Sequence, residues 1–186
     1  MAKIFRQYES EIYGNYRKSY LIGGVLTGVA MSVISLIRDW LSVFPMSSPA
    51  NLVTEIVLAV CICLSCYLYR CDLPYEKVSF KELMLLGLGI GVVSAIVYGV
   101  WVWLFCHQIA PSMVDYYNEK RIAMMEPAET SAAAKEAVER VSHYTAVTWA
   151  FIGCFRSAVA SIIIAFFAAL IFRTEKGKVK IKNKNA

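Results

Sequence analysis

Two ionisable side chains lie inside long apolar runs of this chain, and their charge makes them the first residues to ask about chemistry. Arg156 falls about 11 residues into the run Thr145–Phe172, ~16 Å along a helix and near the middle of a hydrocarbon layer. Glu55 lies about one turn, ~5 Å, inside the outer end of the run Leu52–Leu68. A charge at membrane depth costs roughly 2.5–3.5 kcal/mol on insertion scales, so each should face a bundle interior or water. The remaining depth difference of ~11 Å closes if the arginine reaches outward and the glutamate inward. The expectation is that Arg156 pairs with Glu55, directly or through water. Such a pair fits either a structural neutralisation or a polar step on a transport path.

Other reactive residues form looser patterns. Cys61, Cys63, Cys66 and Cys71 are close in sequence, but Cys61 and Cys63 point about 200° apart on a helix, so four thiols cannot converge on one metal. They read as small packing residues, and their position toward the reducing side disfavours disulfides. His107, Glu139 and His143 share one predicted depth, where a two-histidine, one-carboxylate metal site is conceivable, but interfacial anchoring is the commoner role of such histidines and no metal is expected. No nucleophile elbow, metalloprotease helix, Walker loop or dinucleotide fingerprint is present. Gly87-Leu88-Gly89-Ile90-Gly91 lies within an apolar helix and is packing, not a phosphate loop. The expectation is a non-enzymatic protein with no cofactor.

The elements that must position these residues are four apolar runs, Tyr20–Ile37, Leu52–Leu68, Leu83–Ile109 and Thr145–Phe172. Each spans or nearly spans a ~30 Å hydrocarbon core as a helix, the form that satisfies its own backbone in lipid. A 58% hydrophobic share and a mean hydropathy of +0.53 are too apolar for an ordinary soluble domain. The predicted fold is an all-α, four-transmembrane-helix bundle, a single integral membrane domain over residues 1–186. A helical hairpin over residues 110–144 stands outside the membrane between spans three and four, its second arm continuing into the fourth span.

Charge sets the orientation. The arm (Lys3, Arg6, Arg17, Lys18), the connector (Arg70, Lys77, Lys81) and the tail at 173–186 (Arg173 and five lysines from Lys176 to Lys184) hold most of the 19 basic residues. Arg38, Lys120, Arg121, Lys135 and Arg140 fall on the other side. Both termini are therefore expected in the cytoplasm. Glu9 and Glu11 before the first run, and the Arg38-Asp39 flank after it, indicate a retained span instead of a cleaved signal. Phe5, Tyr8, Ile12 and Tyr16 suit a short helix at the cytoplasmic interface, with a frayed polar arm as the alternative. The tail's charge fits anionic lipid or an ordinary positive-inside signal, and nothing beyond that charge supports nucleic-acid binding.

Small residues recur every fourth position: Gly87, Gly91, Ala95 and Gly99 in the third run; Gly153, Ser157, Ser161, Ala165 and Ala169 in the fourth; Gly24, Gly28 and Ser32 in the first. Lipid provides no hydrophobic drive between helices, so such stripes mark close backbone contact, within the chain or between copies. Ser79 and Glu82 form a capping box before the third run. Trp40, Trp101, Trp103, Tyr116, Tyr117, Tyr144 and Trp149 gather at the outer boundary as an aromatic belt.

The connector Val78-Ser79-Phe80-Lys81-Glu82, a Gly-rich third span ending Ile109-Ala110-Pro111, and a charged excursion returning through a small-residue span to Leu170-Ile171 together resemble a known family. It is the family of small four-span bacterial proteins numbered forty-one ninety-nine among the domains of unknown function. Residues 75–175 carry the resemblance by motif and the first two spans by hydropathy. It implies a bacterial inner membrane and brings no functional residue with it; Arg156 and the alanines at 132–134 have no place in its pattern.

Two roles follow. One is a scaffold or accessory subunit for another membrane protein, the hairpin and small-residue stripes being its contact surfaces, with self-association a further option. The other is a small transporter or channel subunit with a polar path at Arg156 and Glu55, lined by Thr27, Ser32, Ser35, Ser65, Ser94, Ser157 and Ser161. No inverted repeat or broken-helix pair accompanies that path.

Overall fold

The fold is taken from a computed structural model that describes residues 2–41, 48–72, 78–123 and 132–173. Six α-helices follow in order: α1 (Ala2–Leu41), α2 (Ser48–Asp72), α3 (Phe80–Leu104), α4 (Ser112–Ala123), α5 (Ala132–Ser142) and α6 (Ala146–Phe172). A π-helical turn, Phe105–Ile109, extends α3. Four segments are long and apolar enough to cross a membrane: Lys18–Ile37, Leu52–Cys71, Phe80–Ile109 and Ala146–Phe172. The N-terminal arm and the first span form one continuous helix instead of an interface helix joined to a span. At 40 residues it is ~60 Å long, twice the hydrocarbon thickness. The side chains of Phe5, Tyr8, Ile12 and Tyr16, like that of Trp40, lie outside those described.

Local chemistry explains where two of the spans begin. Ser79 is extended (φ −79°, ψ 155°); its hydroxyl accepts from the Glu82 amide at 3.2 Å, and its own amide donates to Glu82 Oε2 at 2.8 Å. Thr145 opens α6 in the same manner, exchanging bonds with Thr148. Each reciprocal box satisfies amides that the first helical turn leaves without partners.

Span α3 is the centre of the bundle. Half of its most apolar window is buried, against 28% for each of the other three. Gly87 meets Ala165 and Gly91 meets Ser161, so α3 and α6 run antiparallel. Gly24 meets Val93 and Gly28 meets Val97, so α1 and α3 run parallel. Tyr67 stacks edge-on with Phe172 at the end of the bundle opposite Glu55 and Arg156, so α2 runs with α6. The directions thus alternate along the chain, as two pairs of opposed crossings require.

Apolar side chains face outward as freely as inward, unlike those of a soluble protein. The inward faces carry glycine, alanine, serine and a cluster built on Met31, Leu58, Ile62, Leu83, Leu86 and Ile90. The outward faces expose Ile22, Leu26, Val60, Val100, Phe151, Phe155 and Ile171, all more than half open. Water would strip such faces into contact with one another; hydrocarbon leaves them where they are.

Two features depart from the sequence reading. The second arm of the outer excursion does not run into the fourth span: α5 ends at Ser142, and His143 to Thr145 leave the helix before the Thr145 cap starts α6. The cap competes with helix propagation, because the Thr145 hydroxyl takes the Thr148 amide only from extended backbone. The aromatic belt is also partly interior. Tyr117 and Trp149 are buried and pack with Phe105 and Cys106, whereas Trp103 and Tyr116 stay exposed. Helices α4 and α5 touch one another, and the segment that joins them, 124–131, lies outside the described residues.

Candidate functional site

Glu55 stands on α2 one residue after the buried Thr54, and Arg156 stands on α6 one residue before the buried Ser157. Both therefore flank the interior faces of their helices, and α2 and α6 are neighbours. Across this seam Arg156 Nε lies 3.1 Å from Glu55 Oε1. About a third of each side chain is open, 35% for Arg156 and 37% for Glu55. The buried Nε makes no hydrogen bond, because its N–H is not aimed along the line to that oxygen. The contact is thus an ion pair without the aligned, charge-assisted bond that gives such pairs their strength.

The buried hydroxyls have a different arrangement. Thr27 Oγ1 donates to the Gly23 carbonyl at 2.6 Å, and Ser32 Oγ to the Gly28 carbonyl at 2.8 Å. Ser94 Oγ donates to Gly91 O at 3.0 Å, and Ser161 Oγ to Ala158 O at 2.7 Å. Each closes on its own helix one turn back, a pattern that hides the hydroxyl in an apolar surrounding. Ser35 and Ser157 are also buried, and Ser65 is half-buried beside Gly23.

The small-residue stripes of α3 and α6 face each other. A Cβ placed on Gly91 would stand 2.2 Å from Ser161 Cβ and Oγ, and one on Gly87 2.7 Å from Ala165 Cβ. Gly99 lies at 3.1 Å from Cys154 by the same measure, and Ala95 is buried between them. Gly153 differs, since its nearest neighbour, the Tyr98 ring, sits at an ordinary 3.5 Å.

A second polar centre was not legible in the sequence. Trp149 Nε1 donates to Asn118 Oδ1 at 2.9 Å, and Asn118 Nδ2 donates to the Tyr144 carbonyl at 3.0 Å. One amide thus ties α4 to both the α5–α6 break and the first turn of α6. Rings of Tyr117 and Tyr144 meet Trp149 edge-on at 5.5 and 5.9 Å. The one available hint was the indole itself, whose N–H demands an acceptor once buried.

The metal candidates are not brought together. His107 is exposed and stacks on Trp103 at 5.4 Å, while Glu139, within α5, and His143, just past its end, are both exposed. Among the described residues, no three His, Cys, Asp or Glu side chains are grouped to hold an ion. Cys66 and Cys106 are buried and Cys71 is exposed, so the thiols face different surroundings.

Outward apolar faces, helix seams lined by small residues and four spans of alternating direction define an all-helical protein with four candidate membrane crossings. Residues 23–174 match the model of a family described as "Protein of unknown function (DUF4199)". The match takes in most of the 186 residues, and the chain belongs to this family. It reaches across the first two spans, further than the motifs at 75–175 extend. No curated protein and no solved structure matches the chain.

Proposed function

We propose that the protein is a non-enzymatic scaffold or accessory subunit for another protein of a bacterial inner membrane, with both termini in the cytosol. What supports this reading above all is the way the interior is used up. The glycine stripes bring helices closer than a methyl group allows, and the buried hydroxyls of Thr27, Ser32, Ser94 and Ser161 return to carbonyls of their own helices. A permeant ion needs polar groups turned toward a path, and these are turned toward helix backbones instead. The basic arm, connector and tail support the orientation. The outer segment would then be a helical hairpin, held against the bundle by Asn118 and available to a partner outside the membrane.

Affinity purification of the tagged chain from native membranes in mild detergent tests the proposal. The expected result is one membrane protein recovered in fixed proportion to the chain, with recovery lost when residues 112–142 are replaced by a short flexible linker. Recovery of the chain alone, together with ion flux through vesicles containing it, would favour the transport reading and overturn this one.

A further inference from the structure

The bundle exposes large aliphatic and aromatic side chains around its spans, and the α2–α6 seam interrupts that surface with charge. Arg156 and Glu55 are each about a third open, although the Arg156 Nε itself is buried. One turn further along the same helix faces, Ala59 and Ala160 are small and half-buried. The seam is therefore polar at this level, with Ile56 and Val60 of α2 and Phe155 and Val159 of α6 exposed on the same two helices.

We propose that the α2–α6 seam is a self-association surface on which a second copy docks, its Arg156 against the first copy's Glu55 and its Glu55 against the first copy's Arg156. Charge complementarity selects this occupant. The seam carries one cation beside one anion, so it is complementary to itself. A two-fold axis along the membrane normal keeps both copies in one topology and all four charges at one depth, and it places unlike charges opposite each other. Polar groups and close packing are what drive helix association in lipid. Acyl chains offer the open guanidinium no acceptor. This inference stands apart from the accessory role and holds or fails without it.

The test begins with unaltered seam charges. A photo-crosslinking phenylalanine analogue is placed at Ile163, which is 57% exposed and two turns from Arg156 on one face, and separately at Val92 on the exposed face of α3. Irradiation of native membranes should give a covalent homodimer from Ile163 and none from Val92. Next, Arg156→Glu and Glu55→Arg are made in separate copies. Alone, each places like charges across the seam and should lower the dimer yield about tenfold; co-expressed, they oppose unlike charges and should restore it to within about threefold. If either charge variant fails to accumulate, the crosslinking of the otherwise unaltered chain decides alone. Monomer only, equal crosslinking from both sites, a crosslink only to a different protein, or a mixture no better than its parts would each overturn the proposal.

Discussion

At Gly91 the α3 backbone lies so close to Ser161 that one added carbon would fall within 2.2 Å of that side chain, while at Gly153 the same carbon meets nothing nearer than 3.5 Å. Gly91→Ala should therefore lower stability by about 1–3 kcal/mol through overpacking, and Gly153→Ala should be neutral. Unfolding in detergent, followed by circular dichroism, checks both, and Gly91→Ala with Ser161→Gly should recover most of the loss. Arg156 and Glu55 make a second comparison. Leucine at either position alone leaves its partner's charge unmatched and should destabilise by about 1–3 kcal/mol, while the double substitution should exceed both singles. A double variant no more stable than the worse single would show that the two charges do not act as a pair. At Asn118, leucine removes an acceptor from the Trp149 indole and a donor from the Tyr144 carbonyl. The expected loss is about 1–3 kcal/mol with a changed near-ultraviolet tryptophan spectrum. This residue eluded the sequence because its partners lie 26 and 31 positions away, beyond the reach of any local pattern. The Arg156–Glu55 contact was legible, since lipid leaves a charged residue so few alternatives.

Helices in this chain announce themselves by hydropathy and end by capping, and the two signals differ in clarity. The four spans could be placed within a few residues because apolar length is a direct consequence of membrane thickness. The Ser79 box was legible because a glutamate stands three residues on. The Thr145 box was not: its third residue is Thr148, and the apolar periodicity of α5 runs on through Tyr144 without a mark. Proline distinguishes a break from a continuous helix. At Ala146, the first residue of α6, Pro should change stability by less than about 1 kcal/mol, since a first-turn amide is spare and Thr145 is already extended. At Val138, within α5, Pro should remove about 3 kcal/mol and the helical signal of that segment. Were α5 and α6 one helix, the two substitutions would be equally harmful, and thermal melts with circular dichroism separate these outcomes.

Taken whole, the molecule turns many large apolar side chains outward, joins its helices at seams of small residues, and has α3 at the middle of an alternating bundle. The small-residue stripes revealed which faces meet, though the partner of each stripe emerged only from three-dimensional register: α6 for one side of α3 and α1 for the other. Activity was not legible in either, because a bundle held by glycine contacts and self-bonded hydroxyls carries no chemistry that names a substrate. Everything functional rests on how the chain is threaded. Alkaline phosphatase, which is active only beyond the cytoplasmic membrane, can be fused after Ala186 and, separately, inserted between α4 and α5. An inactive tail fusion and an active insertion are the expected pair. The opposite pair would invert the protein and place the Asn118 centre in the cytosol, and equal activity at both positions would contradict four crossings.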